Sequence, residues 1–164
     1  MENYYEVSNG EYLITTNPSL LSVDIIHHYL SEESYWAKHI PRVVVEKSIT
    51  NSLCFGLYRQ SEQIGFARLV TDKATFAYLA DVFILEKYRG KGLSKWLIEV
   101  IQFHPELQGL RRWMLGTRDA HGLYAQFGWS EISERCHAQE EAPRRRHPLA
   151  PGAPGYAQPV ARRR

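Results

Sequence analysis

The segment Asp81–Ser94, DVFILEKYRGKGLS, sets Arg89-Gly90-Lys91-Gly92 between an apolar, strand-like run and a helical one. Glycines at such a junction let backbone N–H groups approach a ligand without Cβ obstruction. The start of the helix adds unpaired donors and the positive end of a dipole, so the turn suits an anion such as a pyrophosphate. Arg89 and Lys91 place charge at its rim. The spacing GxxxxGK[ST] does not occur here, and GxGxxG fails because Lys95 stands where its third glycine belongs. What remains is R-x-x-G-x-[GA], met by Arg89 and Gly92 with Ser94 in the last position. One carboxylate, Asp81, lies within the otherwise apolar Leu79–Leu85, where it is costly unless paired or solvated. His27 and His28 cannot share a helix face, and no His/Cys/Asp cluster has metal-ligand spacing, so no metal is expected.

The elements that must carry these residues follow from periodicity. Glu11–Thr16 alternates as a strand and meets a turn at Asn17-Pro18. Val23, Ile26, Tyr29 and Leu30 recur at helical spacing behind Ser22 as N-cap, and Ser31–Ile40 ends that helix. Pro41 opens a second short helix to about Ile49, although Val43–Val45 are stiff in such a place. Leu53–Arg59, Gln63–Thr71 and Phe76–Leu85 read as strands whose short connections favour antiparallel hairpins. Gly92–Phe103 is an amphipathic helix with Leu93, Trp96, Leu97, Val100 and Ile101 on one face, closed by His104-Pro105. Trp113–Thr117 reads as a strand, and Asp119 as the cap of a short helix through about Phe127, stopped by Gly128. The order β-α-α-β-β-β-α-β-α gives an α/β (α+β) fold: a mixed, mostly antiparallel twisted sheet flanked by helices, rather than a doubly wound one.

On these residues VFILEKYRGKGLSKWL resembles the acetyl-CoA loop of the GNAT N-acetyltransferase superfamily. Thr117–Trp129, TRDAHGLYAQFGW, is similar to the later strand–helix segment of that family, where Leu-Tyr precedes Phe-Gly-Phe or Phe-Gly-Trp. The resemblance covers roughly residues 10–132. It implies transfer of an acetyl group from acetyl-CoA to a primary amine, of a small molecule or of a protein N-terminus or lysine. Backbone groups of Val82, Phe83 and Ile84 would then hold the pantetheine arm and thioester carbonyl. Those of Gly90, Lys91, Gly92, Leu93, Ser94 and Lys95, beside Arg89, would cradle the pyrophosphate. Tyr124 aligns with the family's general acid, and its phenol stays protonated at neutral pH. Asp81 borders the acceptor as base or anchor, unless its purpose is structural or water removes the proton. His121, three residues before Tyr124, is expected on the same side and able to assist. The stretch between the first two helices supplies Glu32, Glu33, Tyr35 and Trp36, whose rings and carboxylates suit an amine cation. A catalytically silent CoA-binding sensor on the same fold is the rival reading.

Composition bounds the rest. The chain has 164 residues and a net charge of +2, which excludes a general polycation. That sum divides unevenly: residues 1–130 carry 13 basic and 14 acidic side chains, and residues 131–164 carry 7 and 4. We expect an acetyltransferase domain over residues 1–135 and a disordered Pro/Arg/Ala-rich tail over 136–164. Two Arg triplets in the tail do not amount to a nucleic-acid surface. Ser130–Ser133 begins a closing strand that the tail does not continue, so the sheet edge near Trp129 lacks cover and leaves a homodimer open. Cys54 reads as a small buried hydrophobe and Cys136 as an incidental thiol. Without a signal-peptide core at the start or an apolar run of about 18 residues, a cytoplasmic protein with no membrane contact is expected.

Overall fold

The computed structural model describes residues 4–132. Residues up to Ser130 form one compact unit; of the second, Glu131–Arg164, only Glu131 and Ile132 are described, both exposed and irregular. Six strands run β1 (Glu6–Asn9), β2 (Tyr12–Thr15), β3 (Leu53–Arg59), β4 (Glu62–Thr71), β5 (Phe76–Ile84) and β6 (Arg112–Leu115). Four helices, α1 (Val23–His28), α2 (Arg42–Thr50), α3 (Leu93–Gln102) and α4 (His121–Ala125), are interleaved with them. The sheet order is β1-β2-β3-β4-β5-β6, antiparallel throughout except for the parallel β5–β6 pair. The mixed, mostly antiparallel sheet expected from the sequence is therefore present.

Two apolar clusters cover the two faces of this sheet. Ile14, Phe55, Leu57 and Leu69 pack with Leu97, Ile98 and Ile101 of α3, all fully buried or nearly so. Each such side chain contributes about 1.5–3 kcal/mol of burial, so this face of α3 docks the helix and fixes its start. The second cluster joins Ile26, Tyr29 and Leu30 to Val45, Cys54, Phe66 and Phe83.

Several local expectations need correction. Strand β1 was not foreseen; it pairs with β2 through a turn at Gly10, whose φ of +60° favours glycine. Helix α1 does not end in a polar loop but runs on as a π-helical turn over Tyr29–Glu33. That turn is closed by Ser34, whose N–H donates to the Tyr29 carbonyl (2.9 Å) and whose hydroxyl donates to that of Leu30 (2.6 Å). Strand β6 stops at Leu115. Helix α4 is not capped by Asp119; the Ala120 N–H donates to Thr117 Oγ1 (3.0 Å) instead. Gly128 does stop that end of the chain, with φ +82° and the Trp129 N–H returning to the Tyr124 carbonyl (3.3 Å). Ser130–Ile132 is irregular rather than extended in a strand; Ser133, Cys136 and the tail lie outside the described residues. Among the described residues no helix is long and apolar enough to cross a membrane.

The most consequential feature is an irregular β5. The β4–β5 register shifts between Phe66 and Arg68, and opposite that shift Asp81 takes a left-handed conformation, φ +53°. The parallel ladder to β6 covers only Phe76–Leu79. Beyond Leu79, β5 stays paired with β4 through Phe83 and Ile84 but has left β6. The sheet splays there.

His104, after α3, gives a stability test. Its ring is buried edge-on to Tyr5 (4.7 Å) and Phe55 (5.6 Å), and Nδ1 accepts the Glu106 N–H (3.2 Å). Burial pushes its pKa below the ordinary 6.5. The folded state thus favours neutral imidazole, so its full stability holds above that value and declines as pH falls toward the folded-state pKa. The urea midpoint should fall between about pH 7 and 5, and His104→Asn, which keeps an acceptor without titrating, should flatten that slope. An unchanged slope in the variant would contradict the assignment.

Candidate active site

A cleft of about 650 Å³ occupies the splay, between β5 on one side and the Gly116–Tyr124 segment on the other. Strand geometry decides which backbone groups face it. The Leu85 N–H donates to the Ile64 carbonyl of β4 (2.8 Å), so by alternation Phe83 also faces β4. The N–H groups of Val82 and Ile84 then point to the opposite edge, into the cleft. The Ile84 carbonyl lies on that same edge, where it accepts Arg89 Nε (3.1 Å). Of the three residues expected to present backbone groups, Phe83 is the exception: it contributes its ring, stacked on Tyr29 at 3.9 Å.

The glycine turn joins the cleft at the end of β5. Gly90 and Gly92 have φ of +75° and +77°, and a Cβ on either would meet nothing within 4 Å. Glycine is needed here for conformation, not for space. Gly92 is the N-cap of α3 with no side-chain cap, and its carbonyl accepts the Trp96 N–H (3.1 Å). The N–H groups of Leu93, Ser94 and Lys95 therefore have no partner within the helix and are open to an anion. Ser94 lines the cleft, while Lys91 lies over the Tyr88 ring at 5.5 Å. Glu62 pegs the turn, accepting from Lys87 Nζ (2.7 Å) and the Tyr88 hydroxyl (2.6 Å). Arg89 lines the cleft with Ser94. Its Nη2 donates to the Tyr29 hydroxyl (2.9 Å), which, with the Ile84 carbonyl, draws the guanidinium toward the cleft.

The expected chemical side chains divide. Tyr124 lines the cleft and is 8% exposed; its hydroxyl makes no hydrogen bond among the described residues. Burial, then the nearby Tyr35 and Asp119, push its pKa up to about 12, so the phenol keeps its proton at any physiological pH. Tyr35 and Trp36 line the same cleft, each about two-fifths exposed, with their rings edge to face at 5.0 Å. His121 does not join them. It is exposed and outside the cleft lining, at the first residue of α4.

Asp81 lines the cleft with both oxygens engaged. Oδ2 accepts Arg68 Nε (2.7 Å) in a pair whose side chains are 17% and 12% exposed, and Oδ1 accepts Trp36 Nε1 (3.2 Å). Three further residues escaped the sequence reading. Arg68 is a cation inside the apolar QIGFARLV, the natural partner for a carboxylate inside LADVFIL. Tyr29 was read as core and is, but its hydroxyl reaches Arg89. Asp119, read as a cap, accepts instead from the Tyr35 hydroxyl (3.3 Å), which itself accepts the Arg118 N–H (3.0 Å) under the Arg118 guanidinium. Among the described residues no group of three or more His, Cys, Asp or Glu is placed to hold a metal ion.

A strand edge freed by splaying, beside a glycine turn and a bare helix N-terminus, is an arrangement for an extended ligand that ends in phosphates. Comparison with known proteins gives that class its family. The family model for the acetyltransferase (GNAT) domain matches residues 50–131. A Gibberella zeae protein with an acetyltransferase name is 36% identical, over 71% of this chain and 77% of its own length. The crystal structure of a GNAT family protein from Xanthomonas campestris pv. campestris is 46% identical, with a TM-score of 0.72 over 77% of this chain and 93% of its own. A GNAT family acetyltransferase from Elizabethkingia anophelis, solved with acetyl-CoA bound, shares the fold at 13% identity and a TM-score of 0.55, over 73% and 76% of the two chains. The chain belongs to the GNAT acetyltransferase family, whose members use acetyl-CoA.

Cys54 lies opposite Arg68 in the β3–β4 ladder and is not among the residues that line the cleft. Burial pushes its thiol up to about 12. Peptide mapping after iodoacetamide treatment at pH 8 should find Cys54 unmodified until the protein is unfolded; rapid labelling of the folded protein would contradict its burial.

Proposed function

We propose that this protein transfers an acetyl group from acetyl-CoA to a primary amine of a small molecule, directly, within a ternary complex. The observation that carries the reading is the buried Tyr124 in a cleft whose other wall is the stretch of β5 beyond its ladder with β6. Acetyl-CoA supplies an activated thioester; the protein supplies placement and protons. The Val82 and Ile84 N–H groups hold the pantetheine arm along β5 and polarise the thioester carbonyl, while Phe83 stiffens that edge from behind. The N–H groups from Gly90 to Lys95 receive the pyrophosphate. Tyr124 donates its proton to the departing sulfur.

On the acceptor side, the face of Trp36 with the carboxylates of Glu33 and Asp119 suits an ammonium group. Asp81 is better placed to anchor than to remove a proton, since Arg68 and Trp36 already occupy its oxygens; water in the open cleft then takes the proton from the amine. Tyr35 joins the segment after α1 to the segment before α4, which restricts the entrance and favours a small acceptor over a folded protein surface.

Free thiol released from acetyl-CoA across a panel of primary amines tests the reading: one or more amines should stimulate release. Tight acetyl-CoA binding without release on any amine would favour a silent sensor. With the best amine, Tyr124→Phe should lower kcat by about a hundredfold, in the range of a general acid, with acetyl-CoA affinity within about twofold. Full turnover in that variant would remove Tyr124 from the chemistry. Gly92→Ala forces a left-handed residue at a cost of about 1–2 kcal/mol and should weaken acetyl-CoA binding by roughly tenfold in calorimetry. Unaltered affinity would place the pyrophosphate elsewhere.

A further inference from the structure

We infer that Arg68 is a positioning residue for acyl transfer, acting through Asp81 to hold Trp36 against the acceptor side of the cleft. The inference rests on the acetyl-transfer reading above. Asp81 sits at the register shift in a left-handed conformation, where no regular ladder fixes its direction. Arg68 does so. Its Nε donates to Asp81 Oδ2 (2.7 Å) and its Nη1 to Ser52 Oγ (3.1 Å), so the rigid guanidinium ties the bulge of β5 to the residue before β3. Asp81 Oδ1 is then aimed at Trp36 Nε1 (3.2 Å).

The consequence falls on the acceptor side, because the freed edge of β5 beyond Asp81 is held by the pairing of Phe83 and Ile84 with β4. The Trp36 ring meets Tyr35 edge-on at 5.0 Å and lies 6.4 Å from Tyr29, so a shift of Asp81 reaches the aromatic wall that faces the acceptor. The glycine turn and the start of α3 are held by other contacts: Glu62 on Lys87 and Tyr88, and the burial of Leu93, Leu97 and Ile98. Losing Arg68 should therefore disturb the amine and spare acetyl-CoA. Lysine keeps a point charge for Asp81 but lacks the fork that also reaches Ser52, so it restores the function in part.

The test uses the full chain and the amine that wild type acetylates best. Arg68→Met should raise the KM for the amine about tenfold while the KM for acetyl-CoA stays within twofold, and Arg68→Lys should recover at least half of that loss on a logarithmic scale. Trp36 emission, isolated by subtracting the matching Trp36→Phe protein, should shift to the red in Arg68→Met. An amine KM within twofold of wild type, or an equal rise for both substrates, would overturn the inference. If Arg68→Met fails to fold because Asp81 is left unpaired, the Arg68→Met, Asp81→Asn double variant takes its place under the same criteria. Should wild type acetylate no amine, the acetyl-transfer reading fails separately, and an unshifted Trp36 emission then overturns the positioning role by itself.

Discussion

Strand β5 leaves β6 after Leu79 while remaining on β4, and the rest of the site depends on that parting. A strand inside a sheet has both edges committed to neighbours, so its backbone can bind nothing else. Here one edge is kept for the sheet and the other is released over Ala80–Ile84, in a place too open for β6 to reach. The released N–H groups are held rigidly by the ladder on the far side. They make a prepaid hydrogen-bonding edge, with little entropy left to lose when a ligand adds to it.

Beside the parting sits an arrangement that would be unfavourable if any one part were removed. A left-handed aspartate costs about 1–2 kcal/mol, and a carboxylate within an apolar strand costs more unless paired. Arg68 answers the second cost, because its guanidinium arrives from the adjacent strand at the register shift itself. Such a buried pair is not a source of net stability compared with an apolar substitute. Its role is better understood through direction: it turns a bulge into a fixed corner that aims Asp81 at Trp36, while pairing with β4 holds the freed edge of β5 beyond it.

Much of this was readable from residues, and the failures have physical causes. Strands β3, β4 and β5 and helix α3 were located within a residue or two, because long runs with a clear apolar period leave few alternatives. Strand β1 was missed: Glu6–Asn9 offers only a half-buried Val7, so the Asn9-Gly10 turn was its one signal. The glycine turn was evident since two left-handed positions demand glycine by type. The side chains around it were harder. Arg89 and Asp119 are polar residues in plausible local roles, an anion rim and a helix cap, yet each is drawn to a tyrosine distant in sequence, Tyr29 and Tyr35. His121 illustrates the limit of helical spacing, since sharing a side of α4 with Tyr124 does not bring it to the same depth: Tyr124 is buried in the cleft wall and His121 stands exposed at the first residue of the helix. The partner of Asp81 was available in principle, because a lone cation in one apolar strand and a lone anion in the next tend to meet.

The central claim is that the freed β5 edge and the bare start of α3 together bind acetyl-CoA. Residue-resolved amide hydrogen exchange, with and without acetyl-CoA, tests it most directly. The account predicts that ligand slows exchange at Val82, Ile84, Leu93, Ser94 and Lys95, and leaves Phe83 unchanged because its N–H is already committed to β4. Unchanged exchange at Val82 and Ile84 under saturating acetyl-CoA, or protection confined to another part of the sheet, would contradict it.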